Sequence, residues 1–258
     1  MNEEAKQSEN QSTNQSGNQN AGSSNTGWLE RLGLIGFSAL EAPLLAALVT
    51  GSPLLLIGAH GTAKSLLLTR IALALGLEFR HYNASLLNFD DLVGFPLPGK
   101  DGSLQYVQTP ASIWGAEAVI FDEISRCRPD IQNKLFPLIH ERRVQGLLLE
   151  KLRYRWAAMN PPSTEEDDNG YLGSEPLDVA LADRFALVVT MPGWAQFSAS
   201  QQLAVIQAQE QPLEAAEVLR LKNLLILAER ILAGLSGEFA TCVARYVQTV
   251  VALLIQAG

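Results

Sequence analysis

Leu54-Leu55-Leu56-Ile57 is an unbroken apolar run, Gly58-Ala59-His60-Gly61-Thr62-Ala63-Lys64-Ser65 follows it directly, and Leu66-Leu67-Leu68 comes next. This order reads as a buried strand, a glycine-containing loop and the first turn of a helix, with a lysine and a hydroxyl at the helix start. Loop N–H groups and the positive end of a helix attract anions. A nucleotide polyphosphate is the foremost ligand for such an arrangement. Gly58, Ala59, His60, Gly61, Thr62, Ala63, Lys64, Ser65 and Leu66 would then wrap the phosphates, with Lys64 on the outer ones and Ser65 on a magnesium ion. Ala63 stands where the P-loop pattern has glycine. Alanine is acceptable there if its dihedrals are helix-like, and unacceptable if φ must be positive. The bland alternative is a glycine-rich turn between a core strand and a core helix. Lysine and serine at the right offset favour the phosphate site.

The totals bound the rest. The chain has 258 residues, 47% of them hydrophobic, enough for one large domain or two modest ones with a sizeable core. A formal net charge of -8 argues against broad contact with a nucleic-acid backbone. Cys127 and Cys242 lie far apart without metal-ligand spacing and read as free thiols of a reducing cytosol, so a cytoplasmic location is expected. His60, His81 and His140 are scattered and suggest no zinc site. No N-terminal apolar segment resembles a signal peptide. The apolar stretch Val247 to Ile255 is interrupted by Gln248 and Thr249 and is too short to span a bilayer, so no membrane span is expected.

Three regions follow along the chain. Residues 1–26, rich in Asn, Gln and Ser, cannot bury enough surface to order and read as a disordered tail. Residues 27–192 alternate strands and helices, which implies a parallel α/β core flanked by helices. Residues 193–258 read as an all-α lid. Within the core, Ser38 and Glu41 have capping-box spacing. Residues 83–110 read as irregular around a hairpin turning at Asp101-Gly102, and a second hairpin is expected across 144–152, turning near Gly146 or near Glu150-Lys151. Residues 163–173 read as an acidic, mobile loop.

Ala118-Val119-Ile120-Phe121 is a second unbroken apolar run and ends in Asp122-Glu123. A run of this kind fits a strand buried on both faces. Its carboxylates would face the crevice beyond the strand ends, beside the phosphate loop. Asp122 could bind magnesium directly or through water, and Glu123 could polarise an attacking water. Alone, adjacent acids also suit a helix start; with the loop upstream, chemistry is the better reading. Asn160 ends another apolar strand and could bond a terminal phosphate or orient the water, or else form a turn before Pro161-Pro162. Arg184 could supply charge to a phosphoryl transition state, most usefully at a neighbouring subunit's site, or form a surface pair with Asp183. Arg126 senses phosphate, pairs with an acid or is simply solvated, and Arg142-Arg143 could contact a polymer or partner but read best as solvated charges.

The order of Gly58–Ser65, Asp122-Glu123, Asn160 and Arg184 resembles an AAA+ ATPase. Within that superfamily the chain looks like the MoxR group. The resemblance rests on Gly-Thr-Ala-Lys-Ser in the loop, Phe-Asp-Glu-Ile-Ser-Arg at 121–126, Gln-Asn-Lys-Leu at 132–135, Met-Asn-Pro-Pro at 159–162 and Leu-Ala-Asp-Arg-Phe at 181–185. It extends from residue 37 to about 255 and includes hairpins at 94–107 and 142–153. It implies ATP and magnesium as ligands, Lys64 and Ser65 on phosphate and metal, and Asp122 and Glu123 for metal and water. Asn160 becomes the first sensor and Arg184 a finger acting in trans, so the catalytic set is Glu123, Lys64, Asn160 and Arg184. A homo-oligomeric ring, expected as a hexamer, is implied, as is a protein client or a partner with a von Willebrand factor A domain. The family's second arginine sensor is not found: Arg245 comes too early, and the sequence reads as truncated or as having an incomplete lid.

Three functions compete at this level. The first is an ATP-hydrolysing remodeller with its nucleotide between core and lid. The second, favoured by Ala63 and the missing lid motif, is a nucleotide-gated binding module with little turnover. The third, a nucleic-acid motor, conflicts with the acidic balance.

Overall fold

The computed structural model describes residues 26–102, 104–162, 177–209, 212–235 and 237–257. Residues 1–25 of the expected tail and the acidic segment 163–173 lie outside the described residues. The elements run α1 (Trp28–Arg31), α2 (Glu41–Thr50), β1 (Leu54–Ile57), α3 (Lys64–Leu75), β2 (Phe79–Asn83), α4 (Phe89–Val93), β3 (Phe95–Pro98), β4 (Leu104–Val107) and β5 (Ala118–Asp122). They continue with α5 (Pro129–Glu141), β6 (Arg143–Val144), β7 (Leu147–Leu148), β8 (Tyr154–Met159), α6 (Val179–Ala182), β9 (Leu187–Thr190), α7 (Ala199–Gln207), α8 (Ala215–Gly234) and α9 (Glu238–Ala257).

Five strands form one parallel sheet in the order β2-β5-β8-β1-β9. Its inner strands are apolar on both faces because helices cover both. Leu54, Leu56, Ile120 and Trp156 point into a core shared with α1, α2, α3 and α8. Leu55, Val119, Phe121 and Ala157 point into a second core, shared with α4, α5 and α6. The fold is therefore an α/β core with an all-α C-terminal part, as the AAA+ resemblance implies. The two expected hairpins are present as β3–β4 and β6–β7, the second turning at Gln145-Gly146.

Some local expectations are corrected. Ser38 lies in a 3-10 turn instead of capping a helix, and the Glu41 carboxylate accepts the Leu29 N–H at 2.8 Å, tying α1 to α2. Residues 83–110 are not wholly irregular. They contain α4, whose start is closed by the Asn88 N–H donating to Asp91 Oδ2 at 3.1 Å. The C-terminal apolar stretch is longer than Val247–Ile255: α9 offers Glu238–Gln256, with mean hydropathy 1.4 and none of it buried. By length and composition alone it is long enough to cross a bilayer.

Ala63 caps α3 with φ 59° and ψ 25°, the left-handed conformation that the sequence reading held unacceptable for alanine. The penalty for a Cβ there is about 1–2 kcal/mol, small against the packing of the helix it starts. Leu67, Leu68, Ile71, Ala72 and Ala74 on α3 are all buried.

Arg155 is a cation near the start of β8 and is only 7% exposed. Its Nε donates to Ile139 O at 3.0 Å and its guanidinium to Gly51 O at 2.8 Å and to Arg153 O. Ile139 and Gly51 belong to the C-terminal ends of α5 and α2, where helix dipoles favour positive charge. Burial, with Arg142 nearby, pulls its pKa down to about 10, which leaves it charged at neutral pH. Two leucines of α8, Leu221 and Leu225, pack into the first core, and Glu229 pairs with Arg153 at 2.6 Å. Burial of each leucine contributes about 2 kcal/mol, against less than about 1 kcal/mol for a half-exposed pair, so the leucines hold α8 in place.

Two stability predictions follow from these backbone and burial features. Arg155→Met should lower unfolding free energy by about 2–4 kcal/mol in urea titration, since the helix-end carbonyls lose their donor. Ala63→Gly should raise it by about 1 kcal/mol, because relief at positive φ exceeds the entropy glycine adds to the unfolded chain.

Candidate functional site

Parallel pairing brings the strand C-termini to one edge of the sheet. Register sets Asn83 beside Asp122, and Ile57 beside Met159. The loop after β1, the acid pair after β5 and Asn160 after β8 therefore emerge side by side. They surround a cavity of about 340 Å³ lined by His60, Gly61, Thr62, Ala63, Lys64, Ser65, Leu66, Asn83, Asp122, Glu123, Met159 and Asn160.

Within the loop, Thr62 Oγ1 donates to Ala59 O at 2.8 Å. Gly58 has no room for a side chain: a Cβ would sit 2.7 Å from Met191 Cβ and 2.9 Å from Thr62 Oγ1. Gly61 has φ 74°. Lys64 is the first residue of α3 and is 8% exposed. Its ammonium donates to Gly58 O at 2.7 Å, Ala59 O at 2.8 Å and Asn160 Oδ1 at 3.1 Å. Burial pushes its pKa below the ordinary lysine value, and the charges of Asp122 and Glu123 oppose that shift.

Ser65 Oγ donates to Asp122 Oδ2. The Glu123 N–H donates to Asp122 Oδ1 at 3.0 Å, and His81 Nε2 lies 3.7 Å from Oδ2. Burial pushes the Asp122 carboxyl up. The contacts from His81, Ser65 and the Glu123 amide outweigh it and hold the group below its usual value. An ionised carboxylate facing a hydroxyl is an all-oxygen donor pair that suits a hard divalent cation. Glu123 adopts φ 54°, a strained conformation of the kind that collects at functional sites. Its carboxylate lies 3.9 Å from Arg126, so Arg126 pairs with an acid.

Ten of the residues selected from sequence line the cavity: His60 through Leu66, Asp122, Glu123 and Asn160. Gly58 and Ala59 lie behind it as acceptors for Lys64. Arg184 is not among the lining residues. Its guanidinium lies 4.5 Å from the Phe136 ring centroid and donates to Ala180 O. The expected position between core and lid is also corrected: no described residue beyond Asn160 lines the cavity, and α8 packs on α1, α2 and α3. Sequence reading missed Asn83, Met159 and His81. The signal for Asn83 was its place at the end of β2, the strand that pairs with β5.

The comparisons agree with this architecture. No curated protein matches the chain. A solved structure from Cytophaga hutchinsonii, provisionally described as an ATPase, superposes with a TM-score of 0.53 at 22% identity, covering 76% of this chain and 61% of that one. This chain thus spans under two thirds of that relative, and the likeness carries the fold alone. The sequence pattern of the AAA domain, dynein-related subfamily, matches residues 53–185, just over half the chain and the whole span from the strand before the loop to Phe185. A match over that much of the sequence shows the family: the chain belongs to the AAA family, dynein-related subfamily.

Proposed function

We propose that the chain binds ATP with magnesium and hydrolyses it to remodel or mature partner proteins, in the manner of the MoxR group it resembles. The observation carrying this reading is the convergence of Lys64, Ser65, Asp122, Glu123 and Asn160 on one cavity at the sheet edge. Lys64 would exchange its loop carbonyls for the outer phosphates. Ser65 and Asp122 would hold the magnesium ion, whose charge neutralises the phosphates when bound. Glu123 would take the proton of the attacking water, and the Asn160 amide would hold the terminal phosphate. Arg184, stacked on Phe136 outside its own cavity, suits a role at a neighbouring copy's site, so a homo-oligomeric ring, expected as a hexamer, belongs to the proposal. A protein client, a partner with a von Willebrand factor A domain and a cytoplasmic location complete it. The location rests on two unpaired cysteines, Cys127 and Cys242.

A nucleotide-gated binding module with little turnover is the second reading. It is favoured by the placement of α8 against α1, α2 and α3, which leaves the cavity without a lid residue among those described.

Phosphate release by the assembled protein separates the two. Glu123→Gln should retain ATP affinity in calorimetry and reduce turnover by about 100-fold or more; unchanged turnover removes Glu123 as the base. Arg184→Ala should lower turnover of the assembly while nucleotide affinity of the isolated chain stays within about twofold. A parent protein without measurable turnover favours the binding module.

A further inference from the structure

The β3–β4 hairpin is a two-stranded ribbon that pairs with no other strand among the described residues. Its register sets Phe95 against Val107, Pro96 against Tyr106, Leu97 against Gln105 and Pro98 against Leu104. Hydrogen-bonded and non-hydrogen-bonded couples alternate along an antiparallel pair, and proline has no N–H to give. The bonded couples are therefore Phe95–Val107 and Leu97–Gln105, and the main-chain groups of Pro96, Pro98, Leu104 and Tyr106 point away from the ladder. The two outer edges consequently differ. The edge of β3 offers carbonyls alone, because both of its outward positions are prolines, and such an edge resists strand addition. The edge of β4 offers N–H and C=O at both Leu104 and Tyr106. Among the described residues, no hydrogen bond outside the ladder reaches the Tyr106 main chain.

We infer that the outer edge of β4 is a docking strand for an extended, uncharged segment of a protein partner, which adds to it as a third strand. Leu104 and Tyr106 would supply four main-chain bonds. Side chains of the incoming strand would stand beside Val107 on one face and Tyr106 on the other, and Phe95, opposite Val107, extends the first face. Phe95, Val107 and Tyr106 are all exposed. Neither strand carries a charged residue, although the chain has a net charge of -8, so the edge suits a neutral segment better than a nucleic acid. That the partner is a client and not a second copy rests on the remodelling reading above. A ring built by rotation presents every β4 in the same sense, so the two-fold pairing of two such edges is not available within it.

The test is fluorescence anisotropy on the full chain without nucleotide, using a labelled, end-capped peptide of alternating valine and threonine. The parent should bind one peptide per chain, with an affinity little affected by salt. Tyr106→Pro should bind it about fivefold or more weakly than Tyr106→Ala does, the worth of one hydrogen bond. Alanine removes the ring and keeps the N–H, whereas proline removes an N–H that the β3–β4 ladder does not use. In the parent, peptide should slow amide exchange over 104–107 more than over 95–98, a readout that needs no variant. Equal affinities of the two variants, or unchanged exchange in β4, overturn the inference. So does a parent that binds no peptide, or binding that falls steeply with salt. A parent dimer that Tyr106→Pro dissociates also overturns it and gives the edge to a second copy. Phosphate release is measured apart. A chain that hydrolyses ATP and ignores the peptide loses this inference alone, and one that binds the peptide without hydrolysing ATP loses the ATP-hydrolysing reading alone.

Discussion

The parallel pairing of β1, β5 and β8 is the constraint from which the site follows. These strands are adjacent in the sheet and far apart in sequence. Because they run in one direction, the residues that end them reach solvent at one edge. A lysine, a hydroxyl, two carboxylates and an amide meet there within a single small cavity. An antiparallel arrangement of the same strands would send the acid pair and the loop to opposite ends. The two apolar faces of the sheet are therefore functional requirements as well as sources of stability: they hold the register that brings Asp122 within reach of Ser65.

The site satisfies its polar groups internally. Lys64 has three acceptors, Asp122 has donors from Ser65 and Glu123, and Asn160 is engaged at both ends. A buried ammonium or carboxylate without partners would cost several kcal/mol, so these bonds allow charged groups to sit at the rim of an apolar core. Two residues accept left-handed backbone to complete the arrangement, Ala63 at the helix start and Glu123 after the strand. Each is held by neighbours that are themselves fixed by helix and sheet.

The helices around the sheet are unequal partners. α3 and α5 bury a full face each, and α8 adds two leucines to the first core. None of the apolar span of α9 is buried, and the helix exposes Phe239, Val243, Tyr246, Val247, Val251, Leu253, Leu254 and Ile255. Arg155 binds this assembly from within, joining the ends of α2 and α5 through the strand between them.

Much of this was legible in the sequence. Unbroken apolar runs over 54–57 and 118–121, each followed by polar residues of defined chemistry, are local patterns, and local patterns set strands, loops and helix starts. They were enough for the α/β class, the family resemblance and ten of the cavity's residues. The β3–β4 hairpin was legible through its Asp101-Gly102 turn; for the second hairpin the sequence left the turn open between Gly146 and Glu150-Lys151, and the pairing of β6 with β7 decides for Gly146. What depended on tertiary structure was everything set by distance through space. The left-handed backbone of Ala63, where the loop turns into α3, is one such feature. Asn83 and His81 join the site only because β2 pairs with β5. The place of α8 on α1, α2 and α3 depends on which apolar stripes face each other, and amphipathic periodicity says that a face is buried without saying against what.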